Sequence, residues 1–259
     1  MAKKAWQRLA LTMLWLALPF GVNAQDAAAV LKPTADALRI AEVKALKVVA
    51  AGSGYEKGST EPQPASVPAA LVAAGRATAD PSSPMYVPPP PARPRSYYRI
   101  VSQVQELDLA AESLEIEQVR AESSAPDAAK TPAATTTIDA NADWSLRHRY
   151  WLTPHAFVAG ALAHDASVGT ETLAGTEYRV VSFTVGGHEV RGYVDPEDRL
   201  VRVRTTVESA DGQAADVVES FFDWTDHDGL TFPSMLIRKE NDELAEVLVV
   251  QAVETGAAG

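Results

Sequence analysis

The chain has 259 residues, with 34 acidic residues against 23 basic ones, a formal net charge of −11 and no cysteine. This acidic balance argues against binding to nucleic acid or to anionic membrane surfaces, because both attract clustered lysine and arginine. The absence of cysteine excludes disulfide bonds, thiolate nucleophiles and zinc-thiolate sites, so the fold depends on its core alone.

The first 24 residues have the pattern of a cleavable signal peptide. A short basic region, Lys3, Lys4 and Arg8, precedes an apolar run over residues 9–20 and small residues that end at Ala24. That run is shorter than the roughly 20 residues that a membrane-spanning helix needs. We therefore expect cleavage after Ala24, a mature net charge of −14, no membrane span in the mature chain and a periplasmic or secreted location.

Residues 25–122 are expected to form the N-terminal part of a sheet domain. A short helix is predicted within residues 26–41, with its start displaced by Pro33. A strand is predicted over residues 45–51 and is expected to end at the glycines of positions 52 and 54. Two further strands are predicted between residues 97 and 122, where no single period holds across the window.

Two segments interrupt this part of the chain. Residues 59–94 are crowded with proline, alanine, serine and glycine, which favours an extended, solvated insertion; a ligand for a proline-reading domain is the alternative. Residues 123–137 are predicted to be a low-complexity linker.

Residues 138–259 carry the clearest pattern and predict a helix followed by an antiparallel meander. Thr153 as N-cap and Pro154 at the first helical position predict a helix over residues 154–164. Its apolar stripe indicates that it covers another element. About six strands follow in sequential hairpins, which favour an antiparallel sheet.

Three details of the meander are specific enough to check. Gly186 and Gly187 predict a two-residue primed turn between strands 178–185 and 188–194. Strand 200–208 is expected to place Val201, Val203, Thr205 and Val207 on one dry face, and the next strand is expected to align Val218, Phe222 and Trp224. Strand 244–253 is apolar on both sides and is predicted to be more buried than its neighbours.

The search for catalytic motifs predicts no catalytic residue, no metal and no cofactor. The five histidines are scattered, without the H-x-H or H-E-x-x-H spacing of a metal site. Asp226 and Asp228 fit two positions of a calcium loop, but Trp224 and Met235 would occupy two ligand positions, so a polar turn is favoured. The chain has no G-x-S-x-G elbow either.

Aromatic residues are concentrated in the second half and form the candidate ligand-binding set. An apolar cavity for a lipid-like ligand would use such side chains, although an ordinary core between sheet and helix would use them equally. The candidate residues are Trp151, Phe157, Tyr178, Phe183, Tyr193, Phe222 and Trp224.

Four segments carry a resemblance to a known family: residues 150–157, 177–184, 190–194 and 228–233. Together they resemble the N-terminal domain that precedes the metallo-β-lactamase-fold domain in certain exported bacterial hydrolases. The D-G-x-x-F-P run of residues 228–233 is also similar to the LolA/LolB-like periplasmic lipoprotein carriers. The resemblance implies an α+β fold, a curved antiparallel half-barrel whose sheet is covered by one or two helices and holds acyl chains.

The zinc-binding H-x-H-x-D-H signature of the metallo-β-lactamase fold is absent from this sequence, so no catalytic residue is carried over. The leading hypothesis is therefore a non-enzymatic exported protein that binds a lipid or another apolar ligand, or a partner protein. The alternative is an accessory or substrate-recruiting subunit of a separate metallo-hydrolase. A stand-alone enzyme is the third hypothesis.

Overall fold

The structure of the chain is a computed structural model that describes residues 27–56, 96–121, 129–208 and 212–256. The predicted signal peptide, the proline-rich insertion 59–94 and residues 123–128 of the predicted linker lie outside the described residues. No helix within these ranges is both long enough and apolar enough to cross a bilayer.

The described residues form three helices and eleven strands. The helices are α1 (Ala27–Ala37), α2 (Trp144–Trp151) and α3 (Pro154–Ala163). The strands are β1 (Ala45–Glu56), β2 (Ser96–Asp108), β3 (Ser113–Ala121), β4 (Ala134–Ile138), β5 (Ser167–Leu173), β6 (Thr176–Val185), β7 (His188–Val194), β8 (Leu200–Glu208), β9 (Ala214–His227), β10 (Leu230–Glu240) and β11 (Glu243–Gly256).

All eleven strands belong to one antiparallel sheet in the order β4-β3-β2-β1-β11-β10-β9-β8-β7-β6-β5. The central pairing of β1 with β11 joins the N-terminal hairpins to the C-terminal meander. The sheet is curved and unclosed, with β4 and β5 as its outer strands. This confirms the predicted α+β class and curved antiparallel sheet, and the described part contains one helix more than the one or two expected.

The two faces of the sheet differ in what they bury. On the helix-covered face, side chains of all three helices and most strands form one large core. On the opposite face, strand residues alone form two smaller clusters. One cluster contains Met235, Ile237 and Val247, and the other contains Tyr178, Val180 and Tyr193. Apolar residues are therefore buried on both faces, which explains the weak alternation of several strands.

Two local predictions are confirmed by the backbone. The Thr153 Oγ1 atom accepts a hydrogen bond from the backbone N–H of Ala156 at 3.3 Å, and Pro154 opens α3. Gly186 and Gly187 have φ angles of 58° and 83°, as a primed turn between β6 and β7 requires.

The prediction for the N-terminal elements was wrong in two places. Pro33 lies inside α1, whose buried Val30 and Leu31 anchor the helix in the core despite the backbone donor that proline lacks. β1 continues through its glycines to Glu56. At Gly52 a Cβ atom would lie 1.9 Å from the carbonyl oxygen of Val247, so this glycine permits close strand packing and does not end the strand.

Three elements escaped the sequence patterns. Residues 134–138 of the predicted linker region form edge strand β4, whose residues are mostly exposed. β5 is a second edge strand, and its polar sequence gives no buried face to detect. Helix α2 mixes charged and aromatic residues, and its N-cap Asp143 makes no side-chain capping bond.

The predicted faces of β8, β9 and β11 need correction at one residue each. In the pairing of β7 with β8, Tyr193 lies opposite Arg202 and Val194 lies opposite Leu200, so Val201 has no direct partner on β7. Because of this register shift, Val201 packs on the opposite face. Trp224 packs on the large core while Phe222 packs on the opposite face, because Asp223 between them has a φ of 53°. Val249 is 40% exposed, so β11 is not buried on both faces along its length.

Candidate ligand groove

Three of the seven predicted ligand-binding aromatics belong to the packed core. Trp151 of α2, Phe157 of α3 and Phe183 of β6 are at most 2% exposed. Their ring centroids lie 5.6 Å apart for Trp151 and Phe183 and 5.5 Å apart for Phe157 and Phe183. These distances are typical of interlocked aromatic packing. In this structure the three rings therefore fill the space between helices and sheet.

The cavity that remains beneath the helices is small. Its volume is about 40 Å³, enough for a few water molecules, whereas ligand pockets usually occupy about 300–1,000 Å³. Its lining combines apolar residues such as Leu46, Val48 and Leu248 with the polar residues Arg149, His155, Glu219, Arg238 and Glu246. An acyl chain does not fit into this space in the conformation described.

Three of the charged residues that line this cavity form a row across neighbouring strands of the sheet. Arg238 of β10 lies opposite Glu219 of β9 and opposite Glu246 of β11 in the strand register. The Arg238 Nη2 atom is 2.8 Å from Oε2 of Glu246. Gln118 of β3 donates to Oε1 of Glu246 at 3.2 Å. Gly54 of β1 lies opposite Glu246, and a Cβ atom there would lie 2.1 Å from the Tyr98 ring, so this glycine makes room for Tyr98.

Burial is the largest influence on the pKa values of Glu219 and Arg149, two of the charged groups that line this cavity. Burial raises the pKa of Glu219 to about 7, against an opposing effect of Arg238. Burial also lowers the pKa of Arg149 on α2 to about 10, and the positive charge of Arg238 adds to that effect. The Nε atom of Arg149 is buried without a hydrogen-bond partner among the residues the structure describes.

Two histidines of the helical hairpin are buried in the uncharged form. Burial lowers the pKa values of His148 on α2 and His155 on α3 to about 4 each. His155 lies 5.7 Å from the Phe232 ring, and its Nε2 atom is 3.1 Å from the carbonyl oxygen of Leu38. These contacts tie α3 to the core through His155, whereas the Nδ1 atom of His148 is 3.0 Å from the carbonyl oxygen of Trp144 within α2.

A much larger groove lies where the β5–β6 and β7–β8 turns approach the C-terminal half of β9. Its volume is about 810 Å³. The other four predicted aromatics line it: Tyr178, Tyr193, Phe222 and Trp224. Tyr178, Tyr193 and Phe222 line it from the opposite face, and Trp224, which packs on the large core, also lines it. The sequence patterns had named these residues without separating them from the three core aromatics.

The aromatic walls are positioned by strand irregularities. Tyr178 of β6 and Tyr193 of β7 meet edge to face, with centroids 6.4 Å apart, and Val201 joins them because of the register shift in β8. On β9 the positive φ of Asp223 turns Trp224 toward Phe221, 6.3 Å away, while Phe222 stays on the opposite face. The groove therefore has one aromatic wall formed by Tyr178 and Tyr193 and another formed by Phe222 and Trp224 of β9.

The charged residues of the groove are mostly paired. Arg199 lies 2.7 Å from a carboxylate oxygen of Asp195 and 3.1 Å from one of Glu197. Arg202 of β8 also lines the groove, with its guanidinium carbon 5.9 Å from the centroid of the Tyr193 ring. Sequence patterns do not single out Arg202, because an arginine on the wet side of an alternating strand is an ordinary surface residue.

Within the described ranges, no three His, Asp or Glu side chains come together in a way that could hold a metal ion. The polar residues near the groove are therefore best understood by their hydrogen bonds and charges.

Comparison with known proteins finds two solved structures of similar extent. A LolA superfamily protein from Nitrosomonas europaea is 12% identical, with 91% of this chain and 96% of that chain covered and a TM-score of 0.46. A DUF1329 family protein from Desulfovibrio piger is 8% identical, with 89% and 93% covered and a TM-score of 0.40. No protein-family model matches the chain, and no curated protein matches it. Neither structural likeness assigns a function to the chain.

Proposed function

We propose that this chain is a non-enzymatic exported protein that binds an apolar ligand in the groove lined by Tyr178, Tyr193, Phe222 and Trp224. The observation that carries the proposal is the coincidence of four aromatic side chains with a space of about 810 Å³. That volume lies within the range of about 300–1,000 Å³ that small-molecule sites occupy. The signal-peptide pattern of residues 1–24 supports a periplasmic or secreted place of action.

The physical basis of binding is burial of apolar surface against aromatic walls. Aromatic side chains offer large contact areas, about 150–250 Å² each, with few rotatable bonds to immobilise. Leu173 and Val201 extend the apolar lining. The alternative place for a ligand, beneath the helices, measures only about 40 Å³. Binding there would require α2 and α3 to separate from the sheet and disrupt the Trp151–Phe183 packing.

Brominated fatty acids distinguish these two places, because bromine quenches tryptophan fluorescence at short range. Trp151 lies fully buried in the core under the helices, whereas Trp224 is partly buried against that core and also lines the groove. In the chain from residue 25 onward, which lacks Trp6 and Trp15, two variants would each retain one of these reporters. Trp144→Phe/Trp151→Phe keeps Trp224, and Trp144→Phe/Trp224→Phe keeps Trp151. The proposal predicts saturable quenching of Trp224 and little quenching of Trp151. Quenching of Trp151 alone would place the ligand under the helices and contradict the proposed groove.

A matched pair of substitutions tests the groove independently of fluorescence. Phe222→Arg places a charge in the groove, and binding of a neutral fluorescent lipid analogue is expected to weaken at least about tenfold, from the lost aromatic burial. Val249→Arg places the same charge at an exposed site that does not line the groove, and binding is expected to stay unchanged. Circular dichroism of both variants checks that the sheet is intact.

The second candidate is an accessory subunit of a separate metallo-β-lactamase-fold hydrolase. The observation that favours it is the sequence resemblance of residues 150–157 and 228–233 to the domain that precedes such hydrolases. A pull-down from periplasmic extract should then recover a protein with the H-x-H-x-D-H signature. If no such protein is recovered and the isolated chain binds lipid, the accessory-subunit hypothesis is contradicted and the ligand-binding hypothesis is supported.

A further inference from the structure

Resting on the proposed function, we infer that the ligand of the groove is an anionic amphiphile, an apolar chain with a carboxylate head group that pairs with Arg202. The groove thereby has a polar anchor among its aromatic walls. Arg202 differs from the other arginines nearby in its lack of an acidic partner among the described residues.

Every neighbouring arginine on β6 to β8 already has an acidic partner. The pairs are Arg179 with Asp198, Arg191 with Glu171, Arg199 with Asp195 and Arg204 with Asp216. Arg202 takes part in none of the ion pairs found among the described residues, although it belongs to the same strand as Arg204. Among the described residues, Arg202 is thus a groove-lining guanidinium without a carboxylate partner.

The position of Arg202 suits a ligand head group. It lies opposite Tyr193 on β7 and opposite Ser220 on β9, and both of these residues line the groove. Its guanidinium is near the Tyr193 ring, a contact that orients the side chain and leaves its N–H donors to other partners. A carboxylate is the acceptor that matches the planar fork of an arginine.

A second positive charge lies near Arg202. Burial lowers the pKa of Lys239, and the positive charge of Arg202 lowers it further. The two side chains therefore both contribute positive potential to this part of the sheet. The groove carboxylates Asp195 and Glu197 are occupied by Arg199. Asp223 also lines the groove, and no salt bridge among the described residues joins it to Arg202.

The test compares ligands that share one chain and differ in the head group. Palmitate, hexadecanol and hexadecylammonium compete for the groove against a neutral fluorescent lipid analogue. We expect palmitate to bind about 10 to 100 times more tightly than hexadecanol, because a hydrogen bond to a charged group is worth about 1.5–3 kcal/mol. Hexadecylammonium is expected to bind most weakly of the three.

Substitution of the anchor should remove this preference. Arg202→Gln is expected to weaken palmitate binding to about the level of hexadecanol and to leave hexadecanol binding unchanged. Arg202→Lys, which keeps the charge, should retain part of the preference. Arg39→Gln is the matched control, because Arg39 forms an exposed ion pair with Glu42 and does not line the groove. It is expected to leave all three affinities unchanged.

The outcomes separate the two levels of inference. Equal affinities for palmitate and hexadecanol, or tighter binding of the ammonium compound, would overturn the anionic ligand and leave the apolar groove in place. A preference for palmitate that survives Arg202→Gln would also overturn it. Absence of competition by all three compounds, with no saturable binding of the lipid analogue, would instead overturn the proposed function.

Discussion

Arg238 on β10 lies 2.8 Å from Glu246 on β11, with their side chains 17% and 5% exposed. The same guanidinium lies opposite Glu219 on β9, so one arginine separates two buried carboxylates. A buried ion pair contributes little net free energy compared with apolar packing, but the loss of one partner leaves an uncompensated charge. This relationship makes Arg238 a sensitive position in the sheet.

We predict that Arg238→Met lowers the free energy of unfolding by about 3–5 kcal/mol, because Glu246 is left buried without its partner. Urea denaturation at neutral pH measures the change. Lys32→Met is the control, since the Lys32–Asp36 pair is highly exposed and its loss should change stability by less than about 1 kcal/mol. Equal effects of the two substitutions would contradict the buried-pair interpretation.

The buried histidines predict a loss of stability in acid. In the folded chain the pKa of His155 is lowered by burial to about 4, against an ordinary value of 6.5. Its contribution is fully present above pH 6.5 and is lost as the pH falls through 4, by about 3 kcal/mol in total. The variant His155→Gln does not titrate, so the fall in its unfolding free energy between pH 7 and pH 4 should be smaller by about that amount. An unchanged pH slope in chemical denaturation would refute this role.

Glu219 predicts an effect of opposite sign. Burial raises its pKa from 4.5 to about 7, so its contribution to stability is fully present below pH 4.5 and is lost as the pH rises through 7. We expect Glu219→Gln to gain stability relative to the natural chain between pH 5 and pH 8, by about 2–3 kcal/mol. Guanidinium denaturation at the two pH values gives the difference. A gain that does not grow with pH would contradict the raised pKa.

Gly192 predicts a packing effect with no change of charge. A Cβ atom at this position on β7 would lie 2.2 Å from the Phe157 ring, so Gly192→Ala should destabilise the chain by about 1–3 kcal/mol through overpacking. Gly169→Ala is the control, because no atom lies within 4 Å of its Cβ position. Thermal unfolding should also show that Phe157→Leu partly relieves the Gly192→Ala defect. Strictly additive effects of the two substitutions would argue against this contact.

The sequence by itself determined the elements whose signals are local. Thr153 and Pro154 defined the start of α3, and Gly186 and Gly187 defined a hairpin, because capping and primed turns depend on a few adjacent residues. Consecutive hairpins in turn required an antiparallel sheet. The same local signals failed for β4, β5 and α2, where neither alternation nor a cap marks the element.

Only the tertiary structure decided which face each aromatic residue occupies. Seven aromatics were equivalent in the sequence, but Trp151, Phe157 and Phe183 fill the core, while Tyr178, Tyr193 and Phe222 line the groove from the opposite face. Trp224 packs on the core and also lines the groove. The division depends on a register shift in β8 and on the positive φ of Asp223. The absence of an ion pair at Arg202 among the described residues likewise depends on which carboxylates form ion pairs with the other arginines. Strand register and ion pairing join residues distant in sequence, so no local pattern contains them.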